Sequence, residues 1–157
     1  MTREPARSLS IPIAPMRLGV ATRLLGAPLR SQDSRRWAQR PHLSVSLAYV
    51  RDILAWLQRQ QIGMYRLSGN LAPYATHPDF PQFHQQRQEC RRELAAIGDL
   101  ARAASIRLTM HPAAYVRLDA VDEGLARRSQ QELTFAAALM EDMGLGEEGV
   151  IVVHGGA

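Results

Sequence analysis

Lysine is missing from this chain of 157 residues: all nineteen of its cations are arginine. The bias reflects genome composition as readily as function, although the planar guanidinium fork does suit phosphate contacts. Cysteine is nearly missing. A single Cys90 excludes an intrachain disulfide, and its place among arginines and a glutamate in a helical pattern suits a reducing cytoplasm. No apolar stretch approaches the ~18 residues that cross a bilayer, so no membrane segment is expected. Also absent are G-x-G-x-x-G, a P-loop, the G-x-S-x-G elbow, H-E-x-x-H and any CxxC pair, which removes the usual motif grounds for nucleotide binding, serine hydrolysis, zinc proteolysis or thiol exchange. GLGEEG at 144–149 precedes a strand-like run, where a phosphate loop would follow one, and reads as a plain turn.

What remains is an ordinary globular composition, 46% hydrophobic and 22% charged, in a length that suits one domain with a core. The excess of positive charge is local. Residues 1–40 carry eight arginines against Glu4 and Asp33, a net of +6, and the rest of the chain sums to −2. The arginines of 17–40 fit either a nucleic-acid groove or a solvated surface segment. Residues 1–16 hold three prolines and no sustained period, and we expect a disordered N-terminal extension, with the folded domain over 17–157. Met16, directly before the strand-like RLGVA, is an equally good start.

From there the pattern alternates. Leu47, Val50, Leu54 and Leu57 predict a helix over 43–60. IGMYRL at 62–67 is strand-like. Cys90, Leu94, Ile97, Ala101 and Ala104 predict a second helix over 83–104, followed by the strand IRLTM at 106–110. Leu133, Ala136, Met140 and Met143 predict a third helix over 121–143, stopped by Gly144, and GVIVV at 149–153 is the last strand. Strands joined by helical crossovers pair in parallel, either in a doubly wound sheet or in part of a β/α barrel. In both folds chemistry gathers at the carboxyl ends of the strands.

Histidines fall at those ends. The strand at 106–110 runs into His111, GVIVV runs into His154, and the long second loop, LSGNLAPYATHPDF, delivers His77 before a proline. Each alone reads equally well as a loop residue; three on one rim could converge. His42 and His84 lie beside helix starts and carry no functional reading, and Trp37 reads as a surface anchor for its loop.

IGMYRLSGNLAPYATHP, IRLTMHPAAYV and VIVVHGG, in this order and at these separations, resemble the UV damage endonucleases, β/α-barrel DNA repair enzymes. The similarity spans about 17–157, and YRLS, HP and LTMHP..Y are its most specific pieces. The resemblance implies the first half of a TIM-type (β/α)8 barrel, truncated after its fourth strand. It also implies hydrolysis of the phosphodiester 5′ to UV photoproducts in double-stranded DNA, using divalent metal, generally Mn2+. Matched by position, His111 and His154 correspond to metal ligands and His77 to a catalytic histidine facing the scissile phosphate. Tyr115 corresponds to an aromatic probe of the lesion, and Arg66, Ser68 and Asn70 to DNA-contacting or supporting residues.

The chemistry asks for such groups, because clustered cations activate water and compensate phosphoryl charge. Oxygen ligands must complete such a cluster, yet no carboxylate stands at a strand's carboxyl end here. The expectation is therefore a fragment with an incomplete metal site. Where the family carries Gly-Gln before the probing tyrosine, this chain has Ala113 and Ala114, which removes a polar wedge at the opened lesion. Two alternatives stay open: a metal-dependent sugar isomerase or epimerase of the same barrel superfamily, disfavoured by the missing lysine, and a non-catalytic DNA-binding half-barrel.

Overall fold

The computed structural model describes residues 17–153; the expected extension over 1–16 and His154 lie outside them. Four strands, β1 (Gly19–Ala21), β2 (Met64–Ser68), β3 (Arg107–His111) and β4 (Val150–Ile151), form one parallel sheet in the order β1-β2-β3-β4. A doubly wound sheet reverses its strand order at a switch point, whereas a barrel lays each strand beside its predecessor. The unbroken order therefore resolves the choice: this is an α/β half-barrel.

Helix α1 (Leu43–Arg59) follows β1, α2 (Gln86–Glu89) and α3 (Arg91–Ala103) follow β2, and α4 (Glu123–Asp142) follows β3. Consecutive helices pack on one another, α1 against α3 and α3 against α4. The stripe predicted for α1 is fully buried, with Leu43 and Ile53 added. Each such side chain contributes roughly 1.5–3 kcal/mol on leaving water. Against this layer lie Tyr65 and Leu67 of β2 with Leu108 and Met110 of β3, all part of the same apolar core. Because strand side chains alternate, Met64, Arg66 and Ser68 and, beside them, Arg107, Thr109 and His111 point to the other, inward face. That face is polar. Arg66 Nε and Thr109 Oγ1, neighbours in the register, are buried without a hydrogen-bond partner among the described residues.

All three long helices end in the same way. The residue after the cap is left-handed, at Gln61 (φ 56°), Ser105 (φ 55°) and Gly144 (φ 64°). The next residue donates back into the last turn, from Ile62 to the Leu57 carbonyl, from Ile106 to Ala101 and from Leu145 to Met140. This is a Schellman ending with its apolar residue just beyond, and it turns each helix directly toward the following strand.

The helix predicted over 83–104 needs correction. A 3-10 turn at Pro81–Phe83 precedes α2, and Cys90 (φ −102°, ψ 17°) separates α2 from α3. The late start of the helix goes with Gln86, which is buried and turned inward. Its Oε1 accepts from the Leu43 backbone N–H at 2.7 Å, and its Nε2 donates to the carbonyls of Pro73 at 2.7 Å and Phe83 at 2.9 Å. A helix continuous from residue 83 could not turn this amide to all three. On α4, Ala136, Met140 and Met143 are buried as predicted, while Leu133 is half-buried and Ser129 and Leu139 join the core. Among the described residues no helix is long and apolar enough to cross a membrane.

Candidate functional site

The rim is built where β2 and β3 end side by side, Ser68 opposite His111. Gly69 then passes directly over the end of β3. A Cβ there would stand 2.6 Å from the His111 carbonyl oxygen and 2.9 Å from Ala113 N, so only glycine fits this approach. Ser68 is buried, donates its hydroxyl to Gln32 Oε1 and accepts from Asn70 N at 3.2 Å. Its partners are internal, which makes it a support of the rim. Val152 N donates to Met110 O at 2.8 Å, so β4 runs alongside β3 toward the same end, and His154 falls beyond the described residues.

The two described histidines of the rim hold opposite tautomers. His111 Nδ1 lies 2.8 Å from the Pro112 carbonyl oxygen. A carbonyl only accepts, so Nδ1 carries the proton and the neutral ring has its lone pair on Nε2, the arrangement by which a backbone carbonyl orients an imidazole for a metal. His77 Nδ1 instead accepts from the Asp79 backbone N–H at 3.2 Å, which leaves Nε2–H as a donor. The His77 ring packs on Phe80 at a centroid distance of 4.7 Å and on Tyr74 at 6.2 Å, and Trp37 stacks on Phe80 at 5.6 Å. Trp37 thus anchors its loop, as its sequence setting predicted.

Asn70, His77 and Tyr115 line one groove of about 1050 Å³ between the loops after β2 and β3 and the first half of α4. Glu132 of α4 braces it: a single carboxylate oxygen accepts from Tyr115 Oη at 2.8 Å and from Thr76 Oγ1 at 2.5 Å. Burial, together with the carboxylate beside it, pushes the Tyr115 phenol up to about 12. It therefore stays a neutral donor at any physiological pH, with about half its surface exposed. His111, Arg66 and Ser68 are not part of this groove's wall; they sit on the inward face behind Gly69.

The loop between β1 and α1 closes the groove's other side and is pinned by Asp33. The buried Asp33 carboxylate accepts from Arg35 Nε at 2.8 Å, Arg35 Nη2 at 2.6 Å and the His42 backbone N–H at 2.9 Å. The Asp33 N–H donates to Ser46 Oγ at 2.9 Å. Burial alone would raise the carboxyl's pKa, but the hydrogen bonds from Arg35 and His42 outweigh it and the net shift is downward. A carboxyl depressed on folding adds stability that is complete above its unfolded value of about 3.9 and disappears as pH falls through the lower folded value. The stability gap between the native chain and Asp33→Asn, measured by urea unfolding, is therefore expected to be widest near neutrality and to narrow below about pH 4.

His111 has the tautomer of an imidazole ligand, but among the described residues no group of three or more His, Cys, Asp or Glu could hold a metal ion. The described donor set is incomplete. Glu132, Asp33 and Gln86 were not found by sequence reasoning, since nothing in their immediate neighbours distinguishes them from surface polar residues.

The unbroken parallel sheet order, with helices between its strands, defines a β/α-barrel protein. The chain matches the model of the UV-endonuclease UvdE family over residues 29–157, and it belongs to that family. It is similar to a putative UV-damage endonuclease of Acanthamoeba polyphaga mimivirus, 29% identical over 157 residues, covering 90% of this chain and 47% of that protein. It is also similar to the UV DNA damage endonuclease of Bacillus velezensis, 28% identical over 97 residues, covering 61% of this chain and 30% of that protein. A crystal structure of SacUVDE matches with a TM-score of 0.75 at 29% identity, over 90% of this chain and 50% of that one. The chain thus spans half or less of the length of these relatives.

Proposed function

We propose that this chain serves DNA repair as part of a UV damage endonuclease, which cleaves the phosphodiester 5′ to ultraviolet photoproducts in double-stranded DNA with a divalent cation, Mn2+ by expectation. The observation that carries the reading is the meeting of Asn70, His77 and Tyr115 in one groove at the carboxyl rim. Tyr115 offers an exposed ring face on a hydroxyl fixed by Glu132, suited to stack where a damaged pair has opened. His77 offers Nε2–H to a phosphate oxygen as charge develops on it, and Asn70 offers an amide to the same region.

His111 and, with it, His154 would supply imidazole ligands to the cation; when bound, the cation contributes an activated water and charge compensation at phosphorus. Arg66 holds positive charge on the inward face and Ser68 ties the surrounding loops together. Ala113 and Ala114 remove the wedge that helps hold a lesion open, so Tyr115 carries a larger share of lesion recognition here. A reducing cytoplasm suits the buried Cys90 thiol.

Binding is the readout the described residues can give by themselves. Fluorescence anisotropy at fixed salt should show tighter binding of an ultraviolet-irradiated duplex than of the same duplex undamaged. Tyr115→Ala should remove about 1–3 kcal/mol of that preference, roughly 5- to 160-fold. Equal affinity of the native chain for both duplexes would sink the reading. Nicks 5′ to the lesion that require Mn2+ and stop with EDTA would carry it to the chemistry.

A further inference from the structure

Beside the groove lies a second, smaller trough of about 540 Å³, and the two share Thr76, Arg127, Gln131 and Phe135 as a common ridge. Its α4 wall presents Arg127, Gln130, Gln131 and Thr134. The spacing i, i+3, i+4, i+7 is one face of a helix. Every one of these side chains can donate a hydrogen bond, and among the described residues no carboxylate lines the trough. The large groove is different, since Asp33, Asp79 and Glu132 all stand in its wall.

The cations of the trough differ in availability. Arg87 is committed to Asp142, at 2.6 and 3.2 Å. Among the described residues Arg127 meets only Glu123, at 3.7 Å, with both side chains mostly in solvent. An exposed pair of that kind holds its partner weakly, so Arg127 can turn to an incoming anion at little cost. Residues 127 to 134 rise about 10 Å along the helix, the axial length of about three base pairs.

From this we infer that the Arg127, Gln130, Gln131 and Thr134 face of α4 binds the phosphodiester backbone of the duplex flanking the damaged site. The inference rests on the DNA-binding reading above and extends it beyond the lesion. Backbone contacts of this kind position a duplex without reading its sequence or its damage. They release counterions, so they show in the salt dependence of binding rather than in the preference for irradiated DNA.

The test is a salt titration of the full chain binding a duplex of fixed length, irradiated and undamaged. Arg127→Gln is expected to lower the slope of log K against log salt by about 0.9 and to weaken binding of both duplexes by the same factor. Gln130→Glu, which adds an acid to the trough without removing a cation, should weaken both duplexes equally. Circular dichroism and thermal unfolding check that these exposed substitutions leave the fold intact, and either variant alone suffices for the decision. An unchanged slope and affinity in the folded variants would overturn the inference while the preference for irradiated DNA, and with it the broader reading, could stand. A native chain without that preference, whose variants still show the reduced slope, would overturn the broader reading alone, whereas unequal weakening of the two duplexes by the variants would overturn the inference. A native chain that binds neither duplex at low salt overturns both.

Discussion

Replacing Gln86 by leucine is expected to lower stability by at least about 3 kcal/mol, a loss large enough to threaten folding of the whole chain. The side chain is of similar size and the site is buried, so the change removes hydrogen bonds more than volume. Three backbone groups lose their partner at once: Leu43 N–H, the Pro73 carbonyl and the Phe83 carbonyl. Each buried polar group left unsatisfied costs about 1–3 kcal/mol. Leu43 opens α1, where backbone N–H groups have no intrahelical acceptor, so nothing in the helix replaces the bond. Urea unfolding measures the loss, and a thermal midpoint lower by roughly 10 °C should accompany it. Gln86→Glu keeps the acceptor for Leu43 but sets a buried carboxylate oxygen against the Pro73 and Phe83 carbonyls, and should be at least as destabilising at neutral pH. Stability of the leucine variant within about 1 kcal/mol of the native chain would show that water or a shifted loop satisfies these groups.

The second large effect is expected at Gly98. An exposed helix interior gains about 1 kcal/mol when glycine becomes alanine, so propensity alone predicts stabilisation. Packing predicts the reverse. A Cβ on Gly98 would lie 1.7 Å from the Met143 carbonyl oxygen and 2.7 Å from its carbon, both backbone atoms that cannot rotate away. Helix α3 and the end of α4 would have to separate, pulling on the Arg102 guanidinium that donates to the Met143 and Gly144 carbonyls at 3.3 and 2.7 Å. Such overpacking costs typically 1–3 kcal/mol and sometimes more, and we expect Gly98→Ala to be destabilised by roughly 2 kcal/mol net. Equilibrium unfolding decides the sign, and a gain in stability would mean that the two helices do not meet as described.

These two residues also mark what could be read from the sequence and what could not. The strands and the apolar stripes of α1 and α3 were legible because burial imposes a period on adjacent residues. The Gly144 stop was legible because glycine declares a left-handed position, while Gln61 and Ser105 adopt the same conformation with nothing in their composition to announce it. His111 was placed correctly at a strand end, since an apolar run and a proline bracket it. Gln86, Asp33 and Glu132 were not legible. For Gln86 and Glu132 a partner lies far along the chain, 43 residues away at Leu43 and 56 at Thr76, and only the folded chain brings them together; Asp33 meets Arg35, His42 and Ser46 nearby in sequence, but in a loop with no period to reveal it.

Gly69 rests on the backbone of His111 and Ala113 with no side chain between them. The ends of β2 and β3 are therefore geared like meshed teeth: a shift of Gly69 toward its neighbour must carry the end of β3 with it. Swapping loops between relatives at this seam would accordingly succeed only when both halves of the gear are exchanged together.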